Sequence, residues 1–208
     1  MINNKQINYA YGLKAIIVTW DCNWNCNYCI VDTHDRPNNI SKLRLSQKLR
    51  NIGEYEDISV AGGEPGEADK GLLIYTLEYL KAKKCYIRLL TNGLFAEKYP
   101  DLLHYFDLII YHCSDKYNNT PITHEYFEKY TKEDCEIDYL LVIENDKYID
   151  YVNKYPELIF SIVRAYNIQG EFYFKSPIIE LDNITDKTYI EDKYTPSQIR
   201  KIQEKATF

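Results

Sequence analysis

Six short runs rich in β-formers alternate with stretches of helical periodicity, and this alternation constrains the fold more than any other feature. The runs are Ala15–Trp20 (AIIVTW), Asp57–Ala61 (DISVA), Tyr86–Leu90 (YIRLL), Leu108–His112 (LIIYH), Ile137–Ile143 (IDYLLVI) and Glu171–Lys175 (EFYFK). Each is bounded by turn or polar residues, as strands are. Between the second and third runs, Leu73, Leu77 and Leu80 recur at helical spacing, with Glu67 and Asp69 at the N-terminal end. Between the third and fourth, Phe95, Tyr99, Leu102, Leu103 and Phe106 keep a similar rhythm, and Pro100 delays the start of that helix. Ser41–Arg50, Ile122–Tyr130 and a Tyr148–Tyr166 region broken at Pro156 also read as helices. Thr195, Pro196 and Gln198 mark the start of a last one.

Strands alternating with helices predict βαβ units and a parallel sheet, and right-handed crossovers curl such a series into an open sheet or a partial barrel. The expected class is α/β: a partial (β/α)6 barrel of parallel strands with helices outside, plus a short C-terminal segment. No Gly, Ser or Pro linker and no repeat divides the chain. It reads as one domain, 1–208, with a core over about 15–175 and a covering segment over 176–208. In barrels of this kind the chemistry sits at the carboxyl ends of the strands. The polar signatures collect at those ends: CNWNCNYC after the first run, GGEP after the second, TNG after the third, CSD after the fourth and END after the fifth.

Three of the six cysteines, Cys22, Cys26 and Cys29, crowd into eight residues, while Cys85, Cys113 and Cys135 stand apart. Without a secretion signal, such cysteines point to metal ligands, catalytic groups or core fillers before disulfides. Thiolates bind iron–sulfur clusters, and a four-iron cube usually takes four of them. Three ligands on one loop leave one iron open to a substrate or cofactor, as at a catalytic metal. The competing reading is a zinc knot completed by His34 or a distant cysteine. Zinc sites usually pair two ligand clusters, and there is no second cluster in the sequence.

The triplet spacing, with Tyr28 just before the third cysteine, together with Gly62-Gly63-Glu64-Pro65 and Thr91-Asn92-Gly93, resembles the radical S-adenosylmethionine superfamily over about Ala15 to Lys175. The resemblance implies a [4Fe-4S] cluster on Cys22, Cys26 and Cys29, whose open iron chelates S-adenosylmethionine. One electron then breaks a carbon–sulfur bond, and the resulting 5′-deoxyadenosyl radical takes hydrogen from a substrate. The cofactor carries that chemistry and the protein supplies placement and dryness. By the same resemblance Tyr28 lies near the adenine, and Gly62 and Gly63 let the backbone approach the methionine moiety. Glu64 helps fix its amino group, directly or through water, Pro65 joins it among the implied cofactor-binding residues, and Ser114 and Asn145 stand at ribose-binding positions.

Plainer readings stand beside several of these residues. Ser114-Asp115 can form an Asx-type turn, Asn145-Asp146 a helix cap, and Thr91-Asn92-Gly93 a turn only. Cys113 suits a buried site, His34 and His112 suit hydrogen-bonded structural sites, and Lys175 suits solvent. Acid–base residues are not legible, and the catalytic group on the substrate side is unknown.

Composition decides between partners. The net charge of −6 argues against an extensive nucleic-acid surface, and no run is long and apolar enough to cross a membrane. A cytoplasmic location is the default. The resemblance implies an electron donor such as flavodoxin or ferredoxin. No cysteine follows Cys135, so the auxiliary clusters of larger relatives are not expected, and Gly66-Glu67-Ala68-Asp69 departs from the apolar residue that often follows GGEP. Compact members of similar length include 7-carboxy-7-deazaguanine synthases and glycyl-radical-enzyme activases. A small organic substrate is favoured because little sequence is left for a protein-docking domain. A glycyl-radical-enzyme activase or small peptide-modifying enzyme is the enzymatic alternative, and a zinc or iron–sulfur binding module the non-enzymatic one. The apolar Ile178, Ile179, Leu181 and Ile184 mark Pro177–Phe208 as the segment expected to close the site.

Overall fold

Apolar alternation becomes burial strand by strand. In the computed structural model, Ile58 and Val60, Ile87 and Leu89, and Ile109 are all buried. They lie in one core with Leu45, Leu49, Leu73, Leu77 and Leu80 from the intervening helices, each removed completely from solvent. Each such side chain contributes about 2 kcal/mol of hydrophobic stabilisation, which is what holds the helices on the sheet. The structure describes residues 14–26, 29, 40–114, 116–117, 119–143, 148–158, 160–168 and 171–175.

Two compact units emerge, each described by itself. The first spans Leu13–His112 and Pro121–Asp138. It holds β1 (Lys14–Thr19), α1 (Lys42–Leu49), β2 (Asp57–Gly62), α2 (Lys70–Ala82), β3 (Tyr86–Thr91), α3 (Leu94–Lys98), most of β4 (Leu108–Ser114) and α4 (His124–Tyr130). The strands β1 to β4 are neighbours in chain order and all parallel, with Ile58 opposite Ile87 and Leu89 opposite Ile109. Helix α2 begins where Asp69 Oδ1 accepts the Leu72 N–H at 3.0 Å, satisfying a donor that the first turn would leave orphaned. Ser41 and Thr123 cap α1 and α4 in the same way.

The second unit contains Cys113–Thr120 and the chain from Tyr139. It carries most of β5 (Glu136–Ile143), then α5 (Tyr148–Lys154), β6 (Phe160–Ile168) and β7 (Glu171–Lys175). Here β5 and β6 run parallel, with Leu141 opposite Ile162. Tyr139, Tyr151 and Phe160 form an edge-on aromatic group, with Tyr139 and Tyr151 each about 6 Å from Phe160.

The α/β class and the parallel strands are as expected, but one element differs in kind and another in direction. The helix read over Tyr148–Tyr166 stops at Lys154, and Phe160–Ile168 is a strand. Its run of Phe160, Ile162, Val163 and Tyr166 is a β pattern once Pro156 has ended the helix. The run Glu171–Lys175 is a strand as read, but it pairs antiparallel to β6, with Ile168 opposite Glu171. Two intervening residues suffice for a hairpin, whereas a parallel crossover needs a dozen or more.

Pro100 also acts differently from expectation. It ends α3 instead of delaying it. Helix α3 starts at Leu94 and Tyr99 leaves the helical region, after which Pro100 opens a short 3-10 turn through Tyr105. A residue before proline is pushed out of the α region. Phe95 and Phe106 still meet edge-on at 5.5 Å, so both segments keep the buried face the periodicity implied. Among the described residues, no helix is long and apolar enough to cross a membrane.

Candidate functional site

The site is built at the exits of β1, β2 and β3. Pairing between β1 and β2 slips by one residue after Ile17, so Thr19 faces Gly62, and such irregularities re-aim a strand end. The chain then leaves β1 through Trp20 and Asp21 into the cysteine loop. Thr19 O accepts the Gly63 N–H at 3.0 Å and Asp21 O accepts the Glu64 N–H at 2.7 Å. Gly62 adopts φ +144°, and a Cβ there would meet Thr19 O at 2.2 Å. At Gly63 a Cβ would meet Asp21 O at 2.0 Å. Only glycine permits this approach. The paired glycines were expected to make room for the methionine moiety. The room they make is filled by the chain's own backbone, one residue before Cys22.

Glu64 is turned into the protein. Its residue is only 2% exposed, and both carboxylate oxygens are committed inside the protein. Oε1 accepts from the Gly66 N–H at 2.9 Å, the Thr91 hydroxyl at 2.7 Å and the Phe95 N–H at 3.2 Å. Oε2 accepts from the Asn92 N–H at 2.7 Å. Burial holds the carboxyl above its usual range, and the four hydrogen bonds offset only part of that rise. Glu64 therefore pins the turn after β2 to the turn after β3. Pro65, buried beside it, opens a 3-10 turn as a first helical residue that needs no N–H partner.

Cys22, Cys26 and Cys29 are reduced cysteines on one loop, with the Cys29 N–H donating to Cys26 O at 3.1 Å. Cys22 Sγ accepts from the Trp24 N–H at 3.4 Å. Burial pushes the Cys22 thiol up to about 12, and the negative charge of Glu64, Cys26 and Cys29 adds to the effect. Three thiols gathered near a buried carboxyl have the chemistry of a cluster donor set, since a cationic core offsets their mutual repulsion. Among the described residues, no group of three His, Cys, Asp or Glu side chains is placed to hold a single metal ion. A four-iron cube spreads three thiolates over three irons and does not require them to meet at one point. Cys22, Cys26 and Cys29 are the residues that would hold it.

Trp24, inside the loop, meets His112 of β4 edge-on at 5.2 Å. Burial holds the His112 imidazole down to about 4, so it packs against the indole as a neutral ring. Cys85 and Cys113 are buried, in line with core roles, and Cys135 is partly exposed.

Ser114 ends β4 in the second unit and is fully buried. Its N–H donates to Asn119 Oδ1 at 3.0 Å, and its Oγ accepts the Tyr117 N–H at 3.5 Å. Tyr151 clasps the same turn by donating to Asn119 O at 2.7 Å. These bonds hold the chain in a turn as it leaves β4. Tyr28, His34, Asp115, Asn145, the side chain of Lys175 and the segment Pro177–Phe208 lie outside the described residues.

Sequence reasoning passed over Asn23, Trp24 and Asn92 as functional residues. Their only signal was the Asn-rich, aromatic filling between the cysteines and the TNG turn, and the pairing of Asn23 with Asn92 at 2.7 Å spans 69 residues of sequence.

Comparison with known proteins agrees with this arrangement. No curated protein matches the chain by sequence. Among solved structures, it is similar to a hexahistidine-tagged anSMEcpe with bound AdoMet, at a TM-score of 0.53 and 19% identity over 72% of this chain and 50% of the other. Native anSMEcpe with bound AdoMet and Cp18Cys peptide gives 0.52 and 19%, over 72% and 49%. The chain thus spans about half the length of either, and the likeness is one of fold. The family model of the Radical SAM superfamily matches residues 16–136, from within β1 to the start of β5 and through every motif at the exits of β1 to β4. The chain belongs to the radical SAM superfamily, whose enzymes use a [4Fe-4S] cluster and S-adenosylmethionine.

Proposed function

We propose that this enzyme holds its cluster on Cys22, Cys26 and Cys29, cleaves S-adenosylmethionine reductively, and directs the 5′-deoxyadenosyl radical to a small organic substrate. The observation that carries the reading is the presence of three reduced cysteines on the loop leaving β1, which is braced by the backbone N–H groups of Gly63 and Glu64. When bound, the cluster supplies one electron and an open coordination position for the cofactor.

The chain's own residues divide the remaining work. Gly62 and Gly63 set the exit angle of the cysteine loop. Glu64 and Pro65 lock the turn beneath it, leaving the backbone of this turn, not the carboxylate, to face the cofactor. Tyr28 beside the adenine, and Ser114 and Asn145 at the ribose, complete the proposed cofactor contacts. An electron donor such as flavodoxin or ferredoxin, a small-molecule substrate and a cytoplasmic setting are part of the same reading, as is the absence of a nucleic-acid or membrane partner. The alternative is a small peptide-modifying enzyme or a glycyl-radical-enzyme activase, and the bound peptide in one structural neighbour is what favours it.

Anaerobic reconstitution tests the reading. The wild-type chain should take up a four-iron cluster and convert S-adenosylmethionine to 5′-deoxyadenosine. Cys22→Ala, Cys26→Ala and Cys29→Ala should each abolish both, while Cys85→Ala, Cys113→Ala and Cys135→Ala should retain the cluster. Full cluster content in Cys26→Ala would overturn it.

A further inference from the structure

The Asn92 side chain reaches out of the β3 turn to the cysteine loop, and each of its polar groups is used. Its Oδ1 accepts the Leu94 N–H at 3.3 Å, which fixes the amide so that Nδ2 faces the other way. Nδ2 donates to Asn23 Oδ1 at 2.7 Å and points its second hydrogen toward Cys22 Sγ, 3.9 Å away. The Asn92 backbone N–H donates to Glu64 Oε2 at 2.7 Å. One residue therefore joins the buried carboxylate to the sulfur-bearing loop.

We propose that Asn92 is a positioning residue for the cluster: it ties the cysteine loop to the Glu64 anchor and donates a hydrogen bond to the Cys22 sulfur. This rests on the assignment of Cys22 as a cluster ligand. The physical consequence is twofold. A donor at a ligating sulfur withdraws electron density and raises the reduction potential of an iron–sulfur cluster. The bond to Asn23, the residue next to Cys22, holds the thiol at the angle the cluster needs, and loss of such a partner typically weakens metal retention about tenfold or more.

A simple turn role makes a different prediction. Capping the Leu94 N–H requires only an oxygen at this position, which aspartate supplies as well as asparagine. Asn92→Asp keeps the size, the cap and the backbone bond to Glu64. It removes both side-chain donors and sets an anion against Asn23 Oδ1 and the Cys22 sulfur.

The full chain and its variants are to be reconstituted anaerobically and studied by redox titration followed by electron paramagnetic resonance, and by competition with an iron chelator. Asn92→Asp should shift the midpoint to more negative potential and lower cluster retention about tenfold. Asn92→Asp with wild-type potential and retention would overturn the proposal and leave the cysteine assignment standing. A wild-type chain that takes up no cluster would overturn that assignment and the proposal with it. Where circular dichroism shows Asn92→Asp unfolded, Asn23→Ala carries the test, because it leaves the bonds to Glu64 and Leu94 in place. Asn23→Ala should lower retention, and retention equal to wild type would overturn the proposal.

Discussion

The two ends of the β1–β4 strands are held by opposite means. At the amino ends, opposite charges meet in partial contact with solvent. Arg88 pairs with Asp57 through its Nε at 2.8 Å and through a second guanidinium nitrogen, and Lys132 pairs with Asp107. Asp107 also accepts the Ile87 N–H at 2.6 Å, joining side chain to sheet. At the carboxyl ends, one carboxyl is buried and, among the described residues, is held by three backbone N–H groups and a hydroxyl and by no cation. The difference has a physical sense. An ion pair at Glu64 would place a permanent positive charge among the thiols, whereas backbone dipoles hold the carboxylate without one. The amino ends can be altered at little cost, while the carboxyl ends depend on one buried group and two close backbone approaches.

The largest expected effect comes from removing that group. Glu64→Ala strands four donors, three of them backbone groups, in a site with little solvent access, and should cost about 4 kcal/mol of stability. Urea unfolding of the apoprotein measures this, and a loss below about 1 kcal/mol would mean that the two ends do not differ as described. Gly63→Ala comes next. Its Cβ would lie 2.0 Å from Asp21 O, so the backbone must move, at about 3 kcal/mol, and the displaced cysteine loop should fail to take up iron. Normal iron content in a stable Gly63→Ala protein would show that the close approach is dispensable.

His112 offers a test by pH. Folded, it is held near 4 against an ordinary 6.5, so above 6.5 its neutral form favours the folded state fully. As the pH falls from 6.5 toward 4, the unfolded chain takes up a proton that the folded chain refuses, and stability declines. The decline should be about 2 kcal/mol, allowing for partial solvent access of the residue, and should vanish in His112→Gln. An imidazole that titrates near 6.5 by nuclear magnetic resonance would break the packing argument. Smallest of all is Arg88→Ala at the opposite end. With its partner about a third exposed, it should cost no more than about 1 kcal/mol and leave iron content unchanged.

How much of this was legible follows from the range over which each signal acts. The parallel strands through β5 were readable because alternation and bounding turns are local, and α2 because its leucines and Asp69 cap lie within a dozen residues. Phe160–Ile168 was misread because a short apolar stretch carries both periodicities weakly, and the antiparallel turn of β7 depends on how closely two strands are spaced. The cysteine triplet and GGEP were legible as a pair of motifs, but the part Glu64 plays was not. Its partners at Thr91, Asn92 and Phe95 lie 27 to 31 residues away, beyond any local pattern.

By itself, then, the sequence determined the chemistry available to this protein: three thiols on one loop, glycines where no Cβ fits, and an order of strands that brings polar turns to one edge. These follow from residue type and near-neighbour spacing, which the chain carries whatever its fold. Tertiary structure alone decided how the pieces are used. It turned Glu64 inward, filled the space over Gly62 and Gly63 with Thr19 and Asp21, and brought Asn92 to Asn23 and Cys22. Such choices depend on which buried donors and acceptors must find one another once water is excluded, and that is settled only when distant turns share the same end of a sheet.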